Sequence, residues 1–337
     1  MGERSRLRPF VLLAVLVALG ACTDGTSDAP RAMDATDQPR VVQAAPPPEA
    51  DQLMSAASVT VHAVPEFAAA AAFETVDYLA GEIGPREGTS PAFHEAADWV
   101  EDQFAELGYD VTQVEVPVAR GQDSYRPEWG TVVEPGTSAN VIADSSGFDQ
   151  SAPHVVIGAH LDTVGVAPGA EDNASGVAVV LELARLAAEV PPGLPVRFIA
   201  FGAEEPRGTG NDLHHFGSQQ YVRDLPNTDK AQVVAMVALD RVGVPSSSVP
   251  ICSAGLGTTD TRDELVAAAD AVDIDSHTCE NLASDHVAFD AAGIPAARMG
   301  SVPYDGYHSA GDVPNVVDAG QLDRVGTIVW HWLQAVS

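Results

Sequence analysis

The stretch Val155-Val156-Ile157-Gly158-Ala159-His160-Leu161-Asp162 decides how this sequence is read. Its apolar part is too short for an ordinary helix and ends abruptly in residues that bind metals and protons, which predicts a strand buried on both faces and running into a loop of chemical interest. Downstream, Gly169-Ala170-Glu171-Asp172-Asn173-Ala174-Ser175-Gly176 precedes a helix with Val177, Val180, Leu181, Ala184 and Leu186 on one side, and a second buried strand, Val196 to Phe201, leads into Gly202-Ala203-Glu204-Glu205. Further apolar runs at Asn140 to Ala143, Val233 to Leu239 and Ala296 to Met299 repeat the pattern. Between Phe67 and Leu107 apolar residues recur at helical spacing, Gly108 stops the second helix, and Val111, Val114 and Val116 alternate as a strand. Alternating strands and helices with continuous apolar strands predict an α/β fold with a mostly parallel, mixed central sheet flanked by helices.

In such a sheet, sites collect at the carboxyl edge. His160 and Asp162, Glu204 and Glu205, Asp240, and Tyr307 with His308 all follow predicted strand ends, and Asp172 lies just before the strong helix. Singly, each is a common turn, cap or structural residue. Jointly they would repel one another unless a cation sat among them. Imidazole and carboxylate without cysteine suit zinc, with manganese or cobalt as alternatives.

The chain has 337 residues, 45% of them hydrophobic, enough for a full core. Acidic residues outnumber basic ones 48 to 17, a formal charge of -31 that phosphate backbones would repel, so nucleic acid is not an expected partner. Arg4, Arg6 and Arg8 precede a short apolar run from Pro9 to Ala18, and Leu19-Gly20-Ala21-Cys22 looks like a bacterial lipobox. These residues predict a lipoprotein signal peptide at 1–21, a membrane anchor on lipidated Cys22 and an exported protein on the outer face of the cell membrane, with plain secretion as the alternative. Residues 22–65, rich in Asp, Ala, Thr, Ser and Pro, read as a disordered tether, and 66–337 as the globular body. An exported compartment permits a Cys252–Cys279 disulfide.

The stretches Ala159 to Asp162, Gly169 to Gly176, Phe201 to Glu205, Leu239-Asp240 and Tyr307-His308 resemble the co-catalytic zinc aminopeptidases of the M28 clan, as do Ile83-Gly84-Pro85-Arg86 and Ser284-Asp285-His286. The resemblance spans roughly Phe73 to the C-terminus and implies a zinc-aminopeptidase, phosphorylase/hydrolase-like fold. It implies two zinc ions per chain, one held by His160 and Asp240 and the other by Glu205 and His308, with Asp172 between them. Glu204 would be the general base, Asp162 would fix the His160 tautomer from outside the ligand set, and Tyr307 would donate to the oxyanion. Asp312 would orient the His308 loop or cap a turn. Two departures bear on substrate choice. Arg241 stands where the family usually has an apolar residue, and Pro206 to His215 lengthens the loop after the glutamates, with His214 and His215 expected at the surface.

The implied activity is release of N-terminal residues from a peptide substrate. A single-zinc glutaminyl-cyclase-like acyltransferase or a carboxypeptidase of the same clan is the alternative, and a non-catalytic binding ectodomain is disfavoured because the ligands and the base are all present. The interval from Glu205 to Asp240 is too short for an inserted dimerisation domain.

Overall fold

The computed structural model describes residues 65–122, 132–208 and 210–337. The expected signal peptide, Cys22 and nearly all of the expected tether lie outside the described residues. The helical pattern after Phe67 becomes α1 (Ala69–Val76), which continues as a wider turn over Asp77–Ile83 and breaks at Gly84, where φ is 77°. A second helix, α2 (Pro91–Glu106), restarts with the Ser90 hydroxyl accepting from Phe93 N at 3.1 Å and proline at its first position. Gly108, with φ of 89°, ends it.

The remaining elements follow in chain order: β1 (Asp110–Val118), the short β2 (Gly121–Gln122) and β3 (Val132–Val133), β4 (Gly136–Asp144), β5 (His154–His160), α3 (Ser175–Glu189) and β6 (Val196–Phe201). Then come α4 (Phe216–Asp224), α5 (Asn227–Lys230), β7 (Val233–Leu239), β8 (Val249–Ser253), α6 (Asp260–Ala271), β9 (Ser276–Glu280), α7 (His286–Ala291), β10 (Ala296–Met299) and α8 (Ala319–Ala335). Among the described residues, 8 strands form one sheet in the order β1-β4-β6-β5-β7-β10-β8-β9. The centre, β6-β5-β7-β10, is parallel throughout, while β1, β4 and β8 enter antiparallel. The sheet is therefore mixed, with its parallel part at the centre.

Because successive residues point to opposite faces, the central strands are apolar on both, apart from Arg197, Arg298 and the histidines at the two ends of β5. Val155, Ile157, Phe198, Ala200, Val237 and Leu239 face one core, which also holds Val180 of α3, Phe104 of α2 and Ile328 of α8. Val156, Ile199, Phe201, Met236 and Ala238 face a second, built with Tyr221 and Val222 of α4 and Phe289 of α7. Both faces are covered, so a polar residue on either would be buried. At the far edge Cys252 and Cys279 lie directly opposite each other on β8 and β9 and form the expected disulfide, with Cα atoms 4.3 Å apart. No described helix is long and apolar enough to cross a membrane.

Candidate metal centre

The carboxyl ends of the parallel strands bring the predicted residues to one edge of the sheet. His160 is the last residue of β5, Asp240 follows β7, and Glu204 and Glu205 lie just beyond β6. Asp172 sits in an irregular turn, residues 170–174, before α3, where the Asp172–Asn173 peptide bond is cis. His308 arrives from the loop after β10. The Asp172 carboxylate stands between the histidines, Oδ1 at 3.2 Å from His160 Nε2 and Oδ2 at 3.2 Å from His308 Nε2. Asp240 Oδ1 joins the first half at 3.8 Å from His160 Nε2, and Glu205 Oε2 joins the second at 3.2 Å from His308 Nε2. The structure thus brings together the residues that the resemblance names, His160 with Asp240 and Glu205 with His308 on either side of Asp172.

The spacing suits a metal. Zinc bonds of about 2.0–2.1 Å in tetrahedral array put neighbouring donors about 3.3 Å apart. Glu205 Oε1 is buried with no hydrogen-bond partner, as a donor atom awaiting a cation would be. His160, Asp172 and Glu205, all buried, offer ligand atoms within 4.8 Å of one another.

The ligands are held from behind. Asp312 accepts from Glu171 N at 2.8 Å and Asp172 N at 3.1 Å, so it fixes the turn carrying the shared carboxylate. Asn173 accepts from Gly176 N and Arg241 N and donates to Leu239 O at 2.8 Å, tying that turn to the end of β7. Asp162 departs from expectation. The His160 ring meets the Asp162 backbone carbonyl, Nδ1 to O at 3.1 Å, while the carboxylate is 3.8 Å away. The carboxylate instead accepts from Glu204 N at 2.9 Å and Glu205 N at 3.0 Å.

Two buried arginines escaped the sequence reading as parts of the site. Arg298 on β10 places Nη2 3.0 Å from Asp240 Oδ1 and is anchored by Asn281 Oδ1 and Ala283 O. Arg86 donates to the carbonyls of Leu161, Pro168 and Gly169 and lies wholly buried beneath the acidic cluster. Burial pulls its guanidinium down to about 10, with Asp312 and Asp162 opposing that shift. Their signal is an arginine inside an apolar strand, Ala296-Ala297-Arg298-Met299, and one directly after Gly84-Pro85.

The metal-free electrostatics show how strongly the cluster demands positive charge. Burial opposes charging of His308, yet Glu205 and Asp172 push it up to about 11. Burial likewise opposes His160, but Glu204, Asp172 and Asp240 hold it well above the ordinary histidine value. Asp172 is driven well below the carboxylate range because both histidines outweigh its burial, whereas burial leaves Glu205 raised to about 7. Behind them, burial and then Glu204 raise Asp285 to about 8.

Glu204 faces away from Glu205 and towards the lengthened loop. His215, expected at the surface, is 3% exposed, with Nε2 3.0 Å from Glu204 Oε1; His214 stacks on it and reaches the same oxygen at 3.6 Å. Burial opposes ionisation of Glu204, but His214, His160 and His215 hold its carboxyl well below the usual range. The chain doubles back here: Gly217 N, Phe216 N and His215 N donate to Gly202 O, Ala203 O and Glu204 O at 3.1, 2.9 and 2.9 Å. That ladder turns the two histidines inward. Tyr307 is only partly exposed, its ring stacked on His308 and lying 4.5 Å from the Arg241 guanidinium. Burial raises the Tyr307 hydroxyl above its ordinary value, so it keeps its proton. A cavity of ≈ 350 Å³ lies over the centre, bounded by Glu204, His214, Arg241, Arg298, Tyr307 and His308.

The sequence profile of peptidase family M28 matches residues 140–333. An aminopeptidase of Bacillus subtilis, YwaD, is 35% identical over 170 residues, which cover 48% of this chain and 35% of that one. The match therefore spans about a third of that relative's length. In three dimensions the chain is similar to a zinc aminopeptidase from Bacillus subtilis, with a TM-score of 0.69 and 20% identity over 81% of this chain and 96% of the other. A glutaminyl cyclase from Bacteroides thetaiotaomicron is similar to the same degree, with a TM-score of 0.68 and 20% identity over 82% of this chain and 100% of the other. At that identity both likenesses speak for the fold.

Proposed function

This chain belongs to peptidase family M28, and from that membership and the divided ligand set we propose that it is a di-zinc aminopeptidase acting on peptides outside the cytoplasm. One observation carries the reading: Asp172 stands between two histidines, each with a further carboxylate of its own, so the ligand set has two halves. His160 with Asp240, and Glu205 with His308, would each hold one ion and Asp172 would serve both. Bound there, zinc supplies Lewis acidity towards the scissile carbonyl and lowers the pKa of water.

The remaining work falls to side chains. Glu204, kept ionised by the histidines beside it, accepts the proton of the attacking water and returns it to the leaving amine. Its backbone is fixed by Asp162, so the ligand Glu205 and the base Glu204 keep different directions along one extended segment. Tyr307, still protonated, donates to the oxyanion of the tetrahedral intermediate. Arg298 keeps Asp240 ionised and oriented. Lipidation at Cys22 and export belong to this proposal as well. They rest on residues 1–22, and the Cys252–Cys279 disulfide is in keeping with an oxidising compartment.

The test is zinc content per chain together with hydrolysis of free-amine and N-blocked dipeptide anilides, repeated on Glu204→Ala. Two ions, cleavage of free-amine substrates alone, and a variant that keeps metal but loses turnover are expected. A single ion with conversion of N-terminal glutamine would replace this reading with the cyclase. Equal cleavage of blocked substrates would remove the aminopeptidase assignment.

A further inference from the structure

We propose that Glu204, His214 and His215 form a separate cation site, and that a divalent transition metal bound there switches the enzyme off by occupying its base. The geometry is that of a ligand set. Glu204 Oε1 lies 3.0 Å from His215 Nε2 and 3.6 Å from His214 Nε2, and all three donor atoms fall within 4.8 Å of one another. Tetrahedral zinc with bonds of about 2.0–2.1 Å asks for donors about 3.3 Å apart, between those two distances. Two imidazoles and one carboxylate are zinc-type ligands and would leave a fourth position open to solvent.

An ordinary ion pair does not account for the arrangement. His215 Nε2 is buried and 3.0 Å from Glu204 Oε1, yet it makes no hydrogen bond of ordinary geometry. The side chain is 4% exposed, so water has little access to it. The stacked rings, with centroids 3.6 Å apart and planes 22° from parallel, bring both Nε2 atoms to the same carboxylate oxygen. His214 has 23% side-chain exposure and borders the cavity, which gives a cation a way in. The backbone ladder from His215 to Gly217 against Gly202 to Glu204 fixes the histidines before any ion arrives.

The site would act by competition. A cation on Glu204 withdraws charge from the whole carboxylate and weakens it as a proton acceptor, so occupation disables the base while leaving His160, Asp172, Glu205, Asp240 and His308 untouched. Its effect on turnover rests on the aminopeptidase reading; its existence does not.

Equilibrium dialysis of the full chain against zinc, alongside leucine anilide turnover, tests this. The native chain should bind a third, weaker ion, and turnover should fall to about a tenth when free zinc stands tenfold above that ion's dissociation constant. His214→Ala, at the more exposed member, should stop at two ions and escape inhibition over the same range; Glu204→Gln should also stop at two. A native chain that binds no more zinc than His214→Ala and Glu204→Gln, up to millimolar zinc, would overturn the proposal. If the native chain took a third ion that both variants lost, but cleaved no peptide at any zinc concentration, the site would stand and the peptidase reading would fall.

Discussion

Both carboxylate oxygens of Asp162 are taken by the backbone of the paired glutamates, Oδ1 accepting from Glu204 N at 2.9 Å and Oδ2 from Glu205 N at 3.0 Å. The proposed base and the proposed ligand are thus aimed by one residue, two positions after a further proposed ligand, His160. The three strand-end groups are built as a unit. Burial raises the Asp162 carboxyl, and these two amides oppose that shift.

Asp162→Asn turns one acceptor into a donor facing a buried N–H, a mismatch worth about 1–3 kcal/mol. Because Glu204 and Glu205 are then misaimed, kcat/KM should fall about 10–100-fold while zinc is still bound. Steady-state kinetics with metal analysis on the same samples checks this. Unchanged kinetics would show that the Glu204–Glu205 segment keeps its direction without Asp162.

Arg298 supports Asp240 from inside the sheet, and both are almost fully buried. Arg298→Met leaves a buried carboxylate without its partner, a loss of about 3–5 kcal/mol in the metal-free chain. Zinc held by Asp240 would supply the missing positive charge, so the loss should be much smaller in the loaded protein. Urea unfolding with and without chelator measures both. Equal losses in the two forms would mean that Arg298 serves packing and not the charge of Asp240.

What the sequence made legible follows from where each signal lives. Val196 to Phe201, Val233 to Leu239 and Ala296 to Met299 coincide with β6, β7 and β10 because strands covered on both faces are apolar almost throughout, Arg197 and Arg298 excepted, and stand out from the loops around them. The edge strand β9, Ser-His-Thr-Cys-Glu, is largely exposed and carries no such pattern, and neither it nor β8 was foreseen as a strand. The meeting of the candidate ligands at strand ends was readable because topology brings those ends together whatever the loops do. His214 and His215 were not readable, since their inward turn depends on the backbone ladder to Gly202, Ala203 and Glu204, a tertiary pairing without a periodic signature. The same holds for Asp162, whose target is an amide chain and not the imidazole beside it.

The disulfide closes a loop with a sequence separation of 27 and fastens β9 to β8. Chain entropy for a loop of this length gives a stabilisation of about 3.5 kcal/mol. A Cys252→Ser/Cys279→Ser chain should lose about that much in denaturant unfolding. Amide exchange should rise first at residues 276–280, which form the edge of the sheet among the described residues. Uniform exchange across the sheet would show that the edge does not open independently.

Zinc binding should carry a pH signature whose sign follows from the histidines. In the metal-free chain His308 is raised to about 11 and His160 well above its ordinary value, each charged against the surrounding carboxylates. The stability those pairs give the metal-free fold is fully present below the unfolded histidine value of about 6.5 and is lost as pH rises through the folded values, near 11 for His308. A zinc ligand must be a neutral imidazole, so at pH 7 each histidine has to release a proton as the ion enters. Glu205, raised to about 7, adds part of another. Apparent zinc affinity should therefore climb with pH from 6 to 9, by up to about tenfold per unit for each proton released. Titration calorimetry of the chelator-treated chain in buffers of different ionisation enthalpy counts those protons, and the count should be two or more at pH 7. A count near zero would mean that the imidazoles are already neutral and the carboxylates around Asp172 already ionised without metal.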